Sequence, residues 1–74
     1  MSQLSDRVVE ISKPYLGPAT ESFLARQCKS HLNIEITALA ATNMKDLAKW
    51  VEQSGALIMD APKAAELAKK IAAM

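Results

Sequence analysis

Apolar side chains recur every three or four residues in several parts of this 74-residue chain, which is the spacing of an amphipathic α-helix. The first such stripe predicts a helix with Ser5 as its N-cap, because a serine hydroxyl accepts backbone N–H groups at helix starts. Pro14 disfavours helical geometry at the preceding residue, so we expect this helix to close near Ser12 or Lys13. The stripe consists of Leu4, Val8, Ile11 and Tyr15.

A second helix is predicted to begin at Gly17-Pro18. Proline suits the first position of a helix, since its missing N–H would have no intrahelical partner there. The pattern predicts that this helix runs from Pro18 to Leu32 or Asn33, with asparagine as a reasonable C-terminal stop. Its apolar face would consist of Ala19, Phe23, Leu24, Cys28 and Leu32.

A third helix is predicted in the second half of the chain. Asn43, followed three residues later by Asp46, resembles a capping box at its start. Ser54-Gly55 interrupts the apolar stripe and indicates a kink, a helix end or a close approach of another backbone, because glycine costs about 1 kcal/mol relative to alanine inside a helix. The stripe contains Met44, Leu47, Val51 and Ile58, and Trp50 and Leu57 widen it.

The last helix should begin after Asp60, its predicted N-cap, with Pro62 in the first turn, and run almost to Met74. Residues 34–41 are ambiguous, since they alternate as an edge strand would, but a single strand without a partner forms no sheet. We favour a connection followed by a short helix. The sequence therefore predicts one all-α domain over residues 1–74, a small bundle of four main helices that allows a fifth short helix around residues 37–41.

Composition and charge narrow the range of functions. Nine basic and eight acidic side chains are interspersed along the chain and give a net charge of +1, without the basic block typical of nucleic-acid-binding proteins. No apolar run approaches the roughly 20 residues of a membrane-spanning helix. The charged first residues do not resemble a signal peptide, and the single cysteine excludes an internal disulfide, so we expect a cytoplasmic protein.

Cys28 and His31 are the candidate residues for chemistry, because side chains three apart on a helix can meet on its surface. Such a pair could begin a thiol nucleophile or half of a metal site. Zinc needs about four ligands, and the chain has no other cysteine or histidine to supply them. Free cysteine is also among the most frequently buried residues, so packing in the core is the favoured interpretation of Cys28.

One stretch of the sequence, "YLGPATESFLARQ" at residues 15–27, resembles a motif of a known family. This stretch resembles a small helical domain appended to some bacterial serine/threonine kinases and other signalling proteins, whose pattern is an aromatic residue, an aliphatic residue and Gly-Pro before a helix. The resemblance implies a regulatory or protein-binding role. From conformation alone, four residues are expected to form the structural corner between the first two helices: Pro14, Tyr15, Gly17 and Pro18.

The leading hypothesis is a non-catalytic protein-interaction or regulatory module without a cofactor, which binds another protein or a second copy of itself through an apolar helical surface. A thin core in so short a chain motivates this hypothesis. The alternatives are a small thiol- or metal-dependent enzyme or sensor built on Cys28 and His31, and, ranked third, a weak nucleic-acid-binding helical domain. The predicted partner-binding residues are Trp50, Leu57, Ile58 and Leu67.

Overall fold

Four α-helices and a series of tight helical turns make up the structure, a computed structural model that describes residues 3–74. Of these residues 83% are helical and none forms a strand, so the all-α prediction is confirmed. Three of the helices have twelve or more residues, and the second has eight, so the fold has three long helices where the sequence predicted four main ones. The helices are α1 (Gln3–Leu16), α2 (Thr20–Gln27), α3 (Met44–Gly55) and α4 (Ala61–Ala72).

The first helix extends further than predicted. Ser5 lies inside α1 and is fully buried, so its predicted role as N-cap is wrong. Pro14 also lies inside α1, which continues to Leu16. A proline near a helix end removes one backbone hydrogen bond, and it disfavours, without forbidding, the helical conformation of the preceding residue, here Lys13. Both costs are offset where the last turn of the helix packs against the core. Tyr15 and Leu16, both half-buried, supply that packing.

The chain leaves α1 through Gly17, whose φ of +60° is a left-handed conformation that glycine adopts without a Cβ penalty. A 3-10 turn (Gly17–Ala19) with Pro18 at its start follows, as its fixed φ allows. The hydroxyl of Thr20 donates a hydrogen bond of 2.6 Å to the carbonyl oxygen of Gly17 and closes the turn. The predicted start of the second helical segment at Gly17-Pro18 is therefore confirmed.

The second helical segment ends where the sequence predicted. After α2, a π turn (Cys28–Leu32) continues the helix with a wider winding, and Asn33 ends it in a left-handed conformation with φ 57°. Asparagine is one of the few residues other than glycine that tolerates this conformation at a helix C-terminus. This segment is tied to α3 by the Ser54 hydroxyl, which donates a hydrogen bond of 2.9 Å to the side-chain carbonyl of Gln27.

The connection between the π turn and α3 contains two 3-10 turns (Ile36–Ala38 and Ala41–Asn43) and no α-helix at 37–41. Buried Leu39 lies between the two turns. The Asn43 side-chain oxygen accepts the N–H of Ala40 at 2.9 Å, so it closes the preceding turn. The predicted capping box with Asp46 is therefore wrong, because the asparagine side chain makes no capping bond to α3.

Helices α3 and α4 form the most extensive contact between any two elements, and α4 also packs on α1. The third helix ends at buried Gly55, where a Cβ would stand 3.4 Å from the Cβ of Ala64 in α4. The interruption at Ser54-Gly55 is thus a helix end with a close approach, and Ile58 lies outside α3. The start of α4 after Asp60, with Pro62 in its first turn, is as predicted, although the Asp60 side chain makes no capping bond.

The hydrophobic core draws on every helix and on the π turn. The buried hydrophobic residues are Val8, Val9, Leu24, Cys28, Leu39, Met44, Leu47, Ala48, Val51, Ala64, Leu67, Ala68 and Ile71.

No helix within residues 3–74 has the length and apolar character needed to span a membrane.

Candidate binding surfaces

The structure places Cys28 and His31 in different environments. Cys28 is fully buried among core residues, and this burial raises the pKa of its thiol. His31 is exposed and stacks on Trp50. The π turn that carries both residues winds the chain less per residue than an α-helix, which moves positions three apart onto different sides. No group of three or more His, Cys, Asp or Glu side chains in the described part of the chain could hold a metal ion.

A parallel aromatic stack joins the π turn to α3. The rings of His31 and Trp50 lie 3.9 Å apart between centroids, with an angle of 6° between their planes. The ammonium group of Lys49 lies 5.3 Å from the centre of the Trp50 ring, within the range of a cation–π interaction. Trp50 is half-buried at the edge of the α3 stripe, so part of its ring system remains at the surface.

A basic groove between α3 and α4 adjoins this stack. Its volume is about 300 Å³, and small side chains form its floor, because alanines on both helices leave a shallow space above the helix contact. Lys45 and Lys49, one helical turn apart on α3, face Lys69 of α4 across the groove, and Glu52 is the acidic residue of the lining. The floor consists of Ala48, Ala65, Ala68 and Ala72.

Lys49 belongs to both the groove and the stack, so the two features form one continuous surface, which we call the basic–aromatic face: His31, Lys45, Lys49, Trp50 and Lys69. Sequence reasoning missed this face because its residues come from three separate parts of the chain. The spacing of Lys45 and Lys49 was the one signal available in the sequence. The stacking partner of Trp50 could not have been identified from periodicity.

A second surface feature lies in the connection between α3 and α4. Leu57 is 86% exposed and Ile58 is 61% exposed, and they are the large exposed hydrophobic residues of the described chain. Backbone hydrogen bonds hold them there, since the N–H of Leu57 donates to Ser54 and that of Ile58 donates to Gly55. We call this pair the apolar corner.

The predicted partner-binding set does not form one surface. Leu67 is fully buried in the core contact of α4, so its assignment to a partner surface is wrong. Trp50 is engaged with His31 and Lys49. Leu57 and Ile58 are exposed, and their role in partner binding stays a prediction.

Tyr15 attaches the end of α1 to α4. The ammonium group of Lys70 lies 5.1 Å from the centre of the Tyr15 ring. A hydrogen bond to Tyr15 raises the pKa of Lys70, and the nearby charge of Glu66, 3.9 Å away, acts in the same direction. These contacts agree with a structural role for Tyr15, whereas Pro14, Gly17 and Pro18 are exposed around the turn.

Comparison with known proteins gives one partial similarity. No family model matches the chain, and no solved structure matches it significantly. An alignment of 51 positions, which covers 66% of this chain, shows 43% identity to part of the ATP-dependent DNA helicase Hel308 of Methanocella arvoryzae. The matched stretch covers 7% of that helicase, so the chain resembles a small part of a much larger protein.

Proposed function

We propose that this chain is a non-catalytic helical binding module that attaches to another protein, or to a second copy of itself, through the apolar corner. The exposure of Leu57 and Ile58 on a hydrogen-bonded turn is the observation that carries the proposal. Full burial of one such side chain is worth about 1.5–3 kcal/mol, so a partner that covers both would gain substantial affinity from two residues. The resemblance of residues 15–27 to domains appended to signalling kinases supports a regulatory setting for this binding.

A photo-crosslinking amino acid at position 57 tests the proposal, because it records what lies against the corner in the cell. The expected result is a defined crosslinked product, either a dimer or a complex with one partner. The change Ile58→Ser should reduce its yield, while Ala56→Ser, at the exposed neighbouring position, should leave the yield unchanged. A probe that yields no discrete product, or equal yields in both variants, contradicts the proposal.

We also propose a cytoplasmic location, which the buried free thiol of Cys28 supports.

The second candidate function is nucleic-acid binding without catalysis. The partial similarity to a DNA helicase favours it, and the basic–aromatic face offers suitable chemistry. The sequence holds only two glycines, Gly17 and Gly55, and lacks the glycine-rich phosphate-binding loop with which helicases bind ATP. The function proposed is therefore binding alone. Fluorescence anisotropy with labelled DNA at low salt tests it, and an absence of binding at high micromolar protein contradicts it.

A further inference from the structure

We propose that the basic–aromatic face is a binding site for single-stranded nucleic acid, in which an unpaired base stacks on His31 and the adjoining phosphates contact the groove lysines. This proposal rests on the second candidate function and assigns its site and its ligand. The proposed site consists of one histidine, one tryptophan and three lysines. Packing of the core does not explain why these side chains lie together at the surface.

The stack supplies the platform for a base. Trp50 covers one face of the His31 ring, and His31 is exposed to solvent, so we place the base on the side of the imidazole that Trp50 does not cover. Single-stranded nucleic acids bind proteins by stacking successive bases on aromatic side chains, irrespective of sequence. Because the imidazole is already held parallel to the indole, little side-chain freedom is lost when a base packs on it. A base would therefore extend an existing two-ring stack to three rings.

The lysines supply contacts to phosphate. Lys45 and Lys49 lie one turn apart on the exposed side of α3, and Lys69 lies on the other rim of the groove. No carboxylate forms an ion pair with any of the three within residues 3–74, whereas Lys13, Lys29 and Lys70 are each paired. Three lysine ammonium groups without ion-pair partners against the single carboxylate of Glu52 make this groove locally basic in a chain whose net charge is only +1.

The combination favours a single strand over the other possible ligands. A base in a duplex is stacked and paired and cannot lie flat on His31, so a duplex would use only the lysines. An acidic protein segment would also use the lysines and would gain little from the open imidazole face. The dependence of binding on His31 thus separates a single strand from both alternatives.

The test uses the full chain with a fluorescein-labelled oligonucleotide of twelve thymidines, followed by anisotropy at several salt concentrations. Trp50 is the only tryptophan, so its fluorescence reports directly on binding at the stack. We expect the oligonucleotide to quench this fluorescence when it binds the wild-type chain. In His31→Ala the affinity for the oligonucleotide should be weakened about fivefold or more, because the variant no longer stacks one base. His31 is exposed, so this variant should fold, and circular dichroism is the measurement that checks its folding.

The lysines are tested with a pair of charge-matched variants. The double change K45A/K49A should weaken binding and reduce the slope of log affinity against log salt by about 1.4, or about 0.7 for each phosphate of a single strand that the variant no longer neutralises. The control K13A/K63A removes the same charge from exposed positions elsewhere and should leave the slope nearly unchanged. A duplex of equal length and polyglutamate serve as comparison ligands.

The outcomes distinguish the site from the function. Binding of the oligonucleotide that is unaffected by His31→Ala, or weakened equally by both lysine pairs, overturns the site and leaves nucleic-acid binding intact. Failure of the wild-type chain to bind overturns both. Equal affinity for polyglutamate, with the same dependence on His31, would show that the face binds acidic protein segments and would overturn the assignment to nucleic acid.

Discussion

The two glycines of the chain should respond in opposite directions to replacement by alanine. Gly17 has φ +60°, and no atom lies within 4 Å of the place where its Cβ would stand. Gly55 ends α3, and its Cβ would meet the Cβ of Ala64 and the Cε of Met59, both at 3.4 Å. The open position is therefore the one at which alanine should be harmful, and the crowded position the one at which it should be tolerated.

The magnitudes follow from the backbone at each site. An L-residue held in the left-handed region pays roughly 1–2 kcal/mol, so Gly17→Ala should cost about 1 kcal/mol once the lower entropy of the unfolded alanine chain is subtracted. Gly55→Ala should gain about 0.5 kcal/mol, because alanine orders a helix at lower entropic cost and 3.4 Å is an ordinary van der Waals distance. The methionine methyl group can also move aside at little cost.

Urea unfolding followed by circular dichroism measures both effects. With a slope of about 1 kcal/mol per molar urea for a chain of this size, the midpoint should fall by about 1 M in Gly17→Ala and rise by about 0.5 M in Gly55→Ala. Gly17→Asn is the matched control, since asparagine tolerates the left-handed conformation better than alanine and should cost less. Equal stability of Gly17→Ala and the wild type, or a lower midpoint for Gly55→Ala, would refute the argument.

Three further predictions concern the core. Burial raises the pKa of the Cys28 thiol above its value in the unfolded chain. The contribution of the neutral thiol to stability should therefore be complete below about pH 8.5 and be lost as pH rises further. Urea titrations at about pH 7–10 measure this pH dependence, and Cys28→Ala should remove it. Ser12→Ala should raise the unfolding free energy by about 1 kcal/mol, because no protein group within residues 3–74 bonds to the buried Ser12 hydroxyl; unchanged or lower stability contradicts this. Leu67→Ala should cost about 2–5 kcal/mol and Leu57→Ala less than about 0.5 kcal/mol by calorimetry, and similar costs for the two variants would contradict the assigned burial.

The two surfaces suggest different experiments because they differ in chemistry. The apolar corner offers aliphatic side chains and no charge, which suits a protein partner. The basic–aromatic face offers ammonium groups and an open imidazole, which suits a phosphate chain with unpaired bases. They share no residue, so each surface can be substituted separately, and both proposals can be tested in the same protein.

Local sequence patterns determined the helical class and several boundaries. Apolar residues at helical spacing require only neighbours along the chain, so the stripes of α1 and α3 could be recognised directly. Asn33 and Pro62 mark helix ends through their own backbone preferences and were placed correctly. The corner at Gly17-Pro18 follows from the same kind of local constraint.

Only the tertiary structure decided which residues of these stripes face solvent. Leu57 and Leu67 are chemically identical, yet one is 86% exposed and the other fully buried, because α3 ends at Gly55 while α4 packs on its neighbours. Pro14 remains inside α1 because packing of the last helical turn outweighs a local preference that predicted an earlier end. The contact between His31 and Trp50 joins residues far apart in the sequence, and helical periodicity carries no information about such pairs.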